Sequence, residues 1–327
     1  MDFDPEPEDY DYQVNDYDST GDESDEFEAI ADKYPVKARD KTKTRRRKQK
    51  HKAAPDEFVQ MADNTPQSFK PTFTSSRHEL AWFIPFLGPF YADYLITDVL
   101  RLIKSGKEAN VYLCRAHPST GLDLIAAKVY RPRMLRNLRN DAAYRLGREL
   151  VDEEGKEARD RRRHLAVKKR TSYGKEVLHT EWLSNEFATL RRLFEAGADV
   201  PRPIASGDNA MLMSYVGDEQ APASTLNRVR LTPSEARELF ERLKHNVELM
   251  LAHQCIHADL SAYNVLYWRG DIKIIDLPQA VNPLVNPHAF RMLERDLQRL
   301  GDYFRPYGLP LDAGEVARSL WRRYVSP

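Results

Sequence analysis

The stretch that most constrains the fold of this chain lies near its C-terminal end, at residues 257–264. Two polar side chains there, Asp259 and Asn264, are followed by Asp276 at the end of an apolar run. Apolar residues on both sides of the polar turn at 269–271 predict two short strands joined by that turn. Such a hairpin places an amide and two carboxylates at one mouth, and magnesium prefers oxygen ligands of this kind. The spacing is typical of kinase-type phosphoryl transfer.

Each of these polar residues has a chemical role in this interpretation and a simpler alternative. Asp259 is the candidate base that accepts a proton from the hydroxyl being phosphorylated, with His257 bracing the loop; the alternative is a capping Asp in a turn. Asn264 and Asp276 are the candidate ligands of magnesium or manganese, because an amide oxygen and a carboxylate can share a cation with phosphate oxygens. The alternatives are a turn residue for Asn264 and an N-cap or ion-pair partner for Asp276.

A lysine, Lys128, interrupts the apolar strand predicted over 124–130. A buried ammonium group needs a partner, and Glu186 can supply it from the helix predicted over 181–196. The pair would then hold the α- and β-phosphates of a nucleotide. The alternative is an edge-strand lysine that faces solvent.

Two further segments are candidates for nucleotide contacts, although neither is specific by itself. The loop 105–107 has neither the Walker spacing nor the three glycines of the usual kinase loop, so it could be a plain hairpin entry. The segment 213–216 would link two lobes, and its backbone groups would hydrogen-bond to the edge of an adenine ring. The alternative is an ordinary core strand. The candidate nucleotide-contacting residues are Ser105, Gly106, Lys107, Val111, Lys128, Met213, Ser214 and Val216.

Charge is segregated along the chain, although the formal net charge is zero. No Lys or Arg precedes Lys33, whereas residues 37–52 are strongly basic. Blocks of like charge repel themselves, so 1–56 is predicted to be a disordered tail, first acidic and then basic. The acidic part is either a solubilising tail or a docking segment for a basic partner. The basic part could bind RNA or pair with the acidic part.

The remaining composition excludes several classes of protein. The only cysteines, Cys114 and Cys255, lack the spacing of a zinc site or a disulfide framework, and this fits a reducing cytoplasm, which is the location we expect. The acidic N-terminus is not a secretory signal. The most apolar run, 80–102, is interrupted by two prolines and two aspartates, so we expect no membrane span.

Taken in order, the motifs form a specific set. They are GKEANVY at 106–112, AAKVY at 126–130, EWLSNEF at 181–187, LMSYVG at 212–217, HADLSAYN at 257–264, IIDLPQ at 274–279 and the arginine-rich helix that contains Asp296. The set resembles the RIO-type atypical protein kinases over roughly 95–305, and GKEANVY is that family's own signature. Two departures are Lys104 in front of the loop and Ser-Gly in place of Ser-Thr-Gly.

The resemblance implies an α+β fold, two-lobed and protein-kinase-like, of the trimmed RIO type. The N-lobe, about 95–213, would be an antiparallel sheet plus a helix, interrupted by a charged flexible insertion at 131–180. The C-lobe, about 217–305, would be mainly helical. An N-terminal extension at 57–94 would lead into the N-lobe, and a C-terminal helix would occupy 306–327. The family lacks the peptide-binding subdomains of ordinary protein kinases, and this chain has no Ala-Pro-Glu motif after Asp276.

The resemblance also implies a function: a non-specific serine/threonine protein kinase or ATPase that binds ATP and magnesium and phosphorylates itself. Asp259 would accept the proton, while Asn264 and Asp276 would hold the metal. In parts of the family the residue at Asp276 also accepts a phosphoryl group, which gives an aspartyl-phosphate and an ATPase cycle. Family members act in maturation of the small ribosomal subunit, so that subunit or its RNA is a candidate partner for the basic segments. The protein substrate stays open.

Two other functions are compatible with part of the pattern. Small-molecule kinases of the aminoglycoside or choline type share the His-x-Asp-x-x-x-x-Asn loop and a following Asp, but GKEANVY and the basic insertion disfavour them. An ATP-gated scaffold on ribosomal particles would need no turnover. The intact set Lys128, Asp259, Asn264 and Asp276 argues against an inactive pseudokinase.

Overall fold

The structure, a computed structural model, describes residues 69–74, 77–106, 108–130 and 172–326. The charged segments predicted over 1–56, Lys107 and most of the predicted insertion lie outside the described residues. Within the described part, an N-lobe of sheet and helix extends to Ser214, and a mainly helical C-lobe begins at Gly217. This is the two-lobed α+β architecture that the sequence predicts.

The N-lobe is built on a five-stranded antiparallel sheet with the strand order β1-β2-β3-β5-β4. Its strands are β1 (Ile96–Ser105), β2 (Ala109–Ala116), β3 (Leu124–Tyr130), β4 (Pro203–Ser206) and β5 (Ala210–Ser214). Lys128 lies opposite Val111 on one side and Met211 on the other. It therefore belongs to a central strand, and the alternative of a lysine on an edge strand is wrong.

A helix, α1 (Arg77–Ala92), packs against this sheet, where the sequence predicts only an extension over 57–94. Phe83 and Leu87 are fully buried one turn apart, because residues four positions apart share a helix face. The two prolines inside the helix are residues that usually end a helix, so the sequence of the apolar run does not predict one. Burial of one Phe or Leu contributes about 1.5–3 kcal/mol. An interior proline costs about 3 kcal/mol, and the helix contains two, so burial of Phe83, Leu87 and Phe90 together offsets a cost of similar size.

The second helix, α2 (Ser172–Glu195), carries Glu186 to the sheet. Leu183, Glu186 and Leu190 are buried at helical spacing, as the apolar repeat predicts. The helix begins at Ser172, so residues 172–180 belong to it and not to the predicted insertion. Those residues have no apolar repeat that would have indicated a helix. Extension of an existing helix gains one hydrogen bond for each residue that it fixes, so it costs far less than starting a new helix.

The C-lobe begins with a short strand, β6 (Ser224–Thr225), and then helix α3 (Pro233–Ala252). The sequence Thr-Pro-Ser-Glu at 232–235 forms a capping box at the start of α3: Glu235 N donates to Thr232 Oγ1 at 3.3 Å, and Thr232 N donates to Glu235 Oε2 at 2.8 Å. These bonds satisfy backbone donors that the first helical turn leaves unpaired. The cap fixes where α3 starts, and α3 then delivers the chain to the loop at 257–264.

The predicted hairpin follows that loop as β7 (Val265–Trp268) and β8 (Asp271–Ile274). Its turn has positive φ at both Arg269 (52°) and Gly270 (87°), which suits the right-handed twist of a hairpin. Beyond the paired strands, Ile275 N donates to Asn264 O at 2.9 Å. This bond holds the two ends of the hairpin together, so Asn264 and Asp276 lie at one mouth as predicted.

Two helices complete the C-lobe, α4 (Ala289–Phe304) and α5 (Ala313–Tyr324). The predicted C-terminal helix, α5, buries Ala317 and Leu320 in the same apolar core as α3 and α4. Phe290 of α4 meets Trp321 of α5 edge to face, with ring centroids 5.3 Å apart. The last helix is therefore part of the C-lobe core. None of the described helices is long and apolar enough to cross a membrane.

An ion-pair network fastens the turn after α2 to the C-lobe. Arg242 of α3 makes a two-pronged contact with Asp199, through Nε at 2.6 Å and Nη2 at 2.5 Å. Asn246 adds a bond from Nδ2 to Asp199 Oδ2 at 2.8 Å, and Ile274 N donates to Asp199 O at 2.6 Å. Burial would raise the pKa of Asp199, but the hydrogen bonds from Arg242 and Asn246 outweigh it and hold the pKa below 3.8.

Replacing Arg242 with Met is expected to lower the free energy of unfolding by about 1–3 kcal/mol at pH 7, because it leaves a partly buried carboxylate with fewer donors. A carboxyl group whose pKa is depressed by folding stabilises the protein above its unfolded pKa and loses that effect as pH falls. The difference between wild type and variant should hold from pH 7 to about 5 and shrink below about 4. Urea denaturation followed by circular dichroism measures it.

The matched control is Arg305→Met, whose partner Asp302 is about half exposed. That variant should change the free energy of unfolding by less than about 0.5 kcal/mol. A difference for Arg242→Met that persists undiminished to the lowest pH at which the protein folds would contradict the role given to Asp199.

Candidate active site

Lys128 and Glu186 form a buried ion pair in the N-lobe. The ammonium Nζ lies 2.7 Å from Glu186 Oε1, and the two side chains are only 12% and 2% exposed. Tyr130, two residues further along β3, donates its hydroxyl to Glu186 Oε2. Both carboxylate oxygens therefore have a donor, and the pair is held at a fixed place under the sheet. Tyr130 was missed by sequence reasoning, although the two-residue period of a strand puts it on the face of Lys128.

The same ammonium group reaches the C-lobe, because Lys128 Nζ also lies 2.9 Å from Asp276 Oδ1. Burial would lower the pKa of Lys128, but the charges of Asp276 and Glu186 outweigh it and raise the pKa well above its usual value. The charge of Lys128 in turn lowers the pKa of Asp276. Asp276 remains 46% exposed, so its carboxylate is reachable from the cleft. Lys128 therefore forms an ion pair with a carboxylate from each lobe, Glu186 in the N-lobe and Asp276 in the C-lobe.

The candidate base, Asp259, has a donor on each carboxylate oxygen. Asn264 Nδ2 donates to Oδ2 at 3.0 Å and to the backbone carbonyl of Asp259 at 2.9 Å. Arg299 Nη1, from α4, lies 2.7 Å from Oδ1. These bonds fix the plane of the carboxylate. Arg299 was missed by sequence reasoning, and no local signal marks it, because its partner lies 40 residues earlier in the chain.

His257 braces the loop as predicted. Asp259 N donates to His257 Nδ1 at 3.3 Å, so the ring proton lies on Nε2, which donates to the carbonyl of Ile275 at 3.0 Å. Burial lowers the pKa of His257, and the ring is therefore neutral at neutral pH. The histidine ties the loop to the residue before Asp276.

A buried carboxylate on α4, Asp296, anchors the loop from below. It accepts hydrogen bonds from Ala258 N at 2.8 Å and Leu260 N at 3.1 Å. Burial raises the pKa of Asp296 to about 7, in spite of these bonds. Ala258 and Asp276 both have positive φ, 63° and 71°, which costs of order 1–3 kcal/mol for a residue other than glycine. The bonds to Asp296 offset that strain at Ala258, directly before Asp259.

The donor set at the mouth of the hairpin fits magnesium. Because Asn264 directs Nδ2 to Asp259, its Oδ1 is the amide atom suited to a metal, and Asp276 offers an exposed carboxylate. The described residues contain no group of three or more His, Cys, Asp or Glu side chains that could hold a metal. Magnesium needs no such group, since it keeps waters and phosphate oxygens as ligands beside one or two protein oxygens. Asn264 and Asp276 are the residues that would hold it.

The candidate phosphate loop is a tight turn between β1 and β2. Gly106 N donates to Ala109 O at 2.9 Å, and a Cβ at Gly106 would lie 2.9 Å from that same oxygen. Glycine is therefore required here by close approach of the backbone. Ser105 Oγ donates to Asn110 Oδ1 at 3.1 Å, and Asn110 Nδ2 donates to Tyr112 OH at 3.1 Å. The loop is internally braced, and the predicted contact residue Lys107 lies outside the described residues.

The predicted link between the lobes follows β5. Ser214 N donates to the carbonyl of Arg202 at 2.8 Å, while the carbonyl of Val216 accepts from Ala223 N at 2.9 Å. The N–H of Ser214 and the carbonyl of Val216 are therefore already bonded within the protein. Gly217 ends the link with φ of 138°, and a Cβ there would lie 2.5 Å from Ala221 O. Met213 packs against the C-lobe core from the strand end.

Comparisons with known proteins show what this chain is similar to. The sequence model of one family, described as the RIO domain, matches residues 141–315, which is more than half of the chain. The human serine/threonine-protein kinase RIO1 is 30% identical over 218 residues, covering 64% of this chain and 34% of that protein. The RIO-type serine/threonine-protein kinase Rio1 of Thermoplasma acidophilum is 32% identical over 135 residues, covering 41% of this chain and 69% of that protein.

Among solved structures, the Rio2 kinase–ADP/Mg2+–phosphoaspartate complex from Chaetomium thermophilum matches with a TM-score of 0.49 and 21% identity, over 74% of this chain and 70% of that chain. The chain spans only 25% to 39% of the length of the eukaryotic relatives named RIO1 and RIO3 that it matches. The RIO-domain match over more than half of its residues, together with the archaeal relative, shows that the chain belongs to the RIO kinase family.

Proposed function

We propose that this protein binds ATP with magnesium and transfers the γ-phosphoryl group to a serine or threonine hydroxyl of a protein, its own chain included. The observation that carries the proposal is the convergence on one cleft of groups from both lobes. Lys128 joins Glu186 to Asp276, and Asn264 joins Asp276's hairpin to Asp259. The names of the curated relatives, which are serine/threonine-protein kinases, support the same activity.

The step assigns a task to each group. The acceptor oxygen bonds to the γ-phosphorus, the bond from that phosphorus to the bridging oxygen breaks, and ADP leaves with the electron pair. The hydroxyl proton goes to the carboxylate of Asp259. Lys128, held by Glu186, orients the α- and β-phosphates from above. Magnesium bound by Asn264 and Asp276 would neutralise phosphate charge.

A specific observation favours a second outcome at the same site, in which Asp276 itself receives the phosphoryl group. Its carboxylate is 46% exposed and is fixed 2.9 Å from Lys128, so it faces the place where the triphosphate would lie. Attack by a carboxylate oxygen on the γ-phosphorus would release ADP and leave an acyl phosphate. Water would then hydrolyse that acyl phosphate, and the net reaction is ATP hydrolysis.

The experiment that tests both outcomes follows radiolabelled γ-phosphate through wild type and Asp276→Asn. We expect Mg-dependent label on the wild-type chain. Label that resists neutral hydroxylamine and yields phosphoserine or phosphothreonine supports protein phosphorylation. Label that hydroxylamine removes, and that Asp276→Asn never acquires, supports the aspartyl-phosphate cycle. Wild-type protein that neither binds nor cleaves Mg-ATP would contradict the proposed function, and label on choline or an aminoglycoside would favour a small-molecule kinase.

We propose that the small ribosomal subunit or its RNA is the partner of this protein. We propose the cytoplasm as its location. The support is the basic composition of residues 37–52 and 159–170, which suits phosphate contacts that release counterions, and the presence of two buried free cysteines. Binding to purified small subunits should weaken steeply as salt rises. Neutralising the basic residues of 37–52 should weaken it further, and unchanged binding would contradict this part of the proposal.

A further inference from the structure

The positively charged side chain that contacts the candidate base, Asp259, comes from outside the loop that carries Asp259. Residues 257–268 contain no Lys or Arg. The cation beside Asp259 is Arg299 of α4, whose Nη1 lies 2.7 Å from Asp259 Oδ1. The two side chains are 35% and 36% exposed, so the pair sits at the surface of the cleft. Helix α4 therefore supplies a charged group at the atom that would take the proton.

The contact completes the set of bonds that orients the carboxylate. Oδ2 of Asp259 is held by Asn264 Nδ2 at 3.0 Å, and Oδ1 is held by Arg299. The two donors come from different elements, so together they fix both the rotation and the tilt of the carboxylate plane. Each carboxylate oxygen has two lone pairs, so Oδ1 can accept from Arg299 and still accept from a substrate hydroxyl.

Arg299 is also held in place by the packing of its helix. Asp296, three residues earlier and on the same face of α4, accepts from the backbone N–H groups of Ala258 and Leu260 on either side of Asp259. The helix is thus locked to the loop at the level of Arg299. Partly exposed ion pairs contribute little to stability, so the consequence of this pair should appear in the position of Asp259 more than in the folding of the chain.

We infer that Arg299 is a positioning residue for Asp259: it holds the carboxylate at the angle from which Oδ1 meets the acceptor hydroxyl. The inference rests on the proposed phosphoryl transfer. Without Arg299, Asn264 is the donor that stays on the carboxylate within the described part of the chain, and the carboxylate can then rotate about its side-chain torsions. A misplacement of about 1 Å at a reacting group can lower a rate by about 100-fold.

The first test compares Arg299→Met with Arg299→Lys and with Arg291→Met, an exposed arginine two turns earlier on the same helix. We expect Arg299→Met to lower kcat by about 10- to 100-fold, with KM for Mg-ATP changed by less than about 3-fold. Arg299→Lys should recover part of the loss, and Arg291→Met should match wild type. Thermal unfolding shows whether each variant is folded, and calorimetry shows whether it binds Mg-ATP. Equal kcat for Arg299→Met and Arg291→Met would overturn the inference.

A double-mutant cycle with Asp259→Asn separates positioning from a general loss of structure. If Arg299 acts through Asp259, Arg299→Met should lower the residual rate of the Asp259→Asn variant by less than about 3-fold. A loss in that background as large as the loss in wild type would show that Arg299 acts independently of Asp259, and the inference would be wrong. A wild-type chain without turnover would instead contradict the proposed function.

Discussion

Replacing Asp259 with asparagine is expected to lower kcat for γ-phosphoryl transfer by about 10²–10⁴-fold, the range for loss of a positioned general base. An amide keeps the shape of the carboxylate, and its oxygen can still accept from Arg299, but it cannot take the hydroxyl proton. ATP binding depends on Lys128 and on the metal ligands, so KM for Mg-ATP should change by less than about 3-fold. Steady-state kinetics with radiolabelled ATP measure both constants.

The control for this variant is Asp302→Asn on the same helix as Arg299, where the carboxylate is about half exposed and pairs with Arg305. It carries the same chemical change away from the cleft and should behave as wild type. If Asp259→Asn turned over at the wild-type rate, Asp259 would not be the base.

The second large effect is expected at Lys128. Its replacement with Met should abolish measurable phosphoryl transfer, a loss of more than about 100-fold, because the positive charge between the lobes is removed. It should also lower the free energy of unfolding by about 3–5 kcal/mol, the cost of leaving a buried carboxylate unpaired. Glu186 is the group left behind, and its side chain is only 2% exposed.

A compensating change separates the two effects. The double variant Lys128→Met, Glu186→Gln removes both charges while the amide can still accept from the hydroxyl of Tyr130. Urea denaturation should show most of the lost stability restored, whereas activity should stay absent. Activity in the single variant would contradict the role of Lys128 in phosphate binding. A double variant as unstable as the single one would contradict the account of the buried pair.

The parts of the fold that could be predicted from the sequence are those that local patterns encode. The capping box at Thr232, the turn at Gly270 and the lysine inside an apolar strand each leave a signal within a few residues. Helix α1 could not be predicted, because two prolines mask its periodicity and only packing against the sheet reveals the reason for it. The start of α2 was missed because its first residues carry no apolar repeat.

The same distinction holds for the candidate site. Asp259, Asn264 and Asp276 are close in sequence, and their spacing around a hairpin predicts that they meet. The contact between Lys128 and Asp276 joins residues 148 positions apart, and the sequence, which pairs Lys128 with Glu186, did not predict it. Arg299 meets Asp259 across the packing of α4 against the loop, and a helix rich in arginines does not indicate which one faces a given carboxylate.

Single-turnover cleavage of radiolabelled Mg-ATP by excess protein tests most directly whether these groups form one phosphoryl-transfer site. The wild-type chain should release or transfer the γ-phosphate in the presence of Mg²⁺ and stop when the metal is chelated. Asp259→Asn should bind the same amount of Mg-ATP but transfer no label to a serine or threonine hydroxyl over the same time. A wild-type chain that binds no Mg-ATP, or an Asp259→Asn chain that phosphorylates a hydroxyl equally fast, would contradict the assignment.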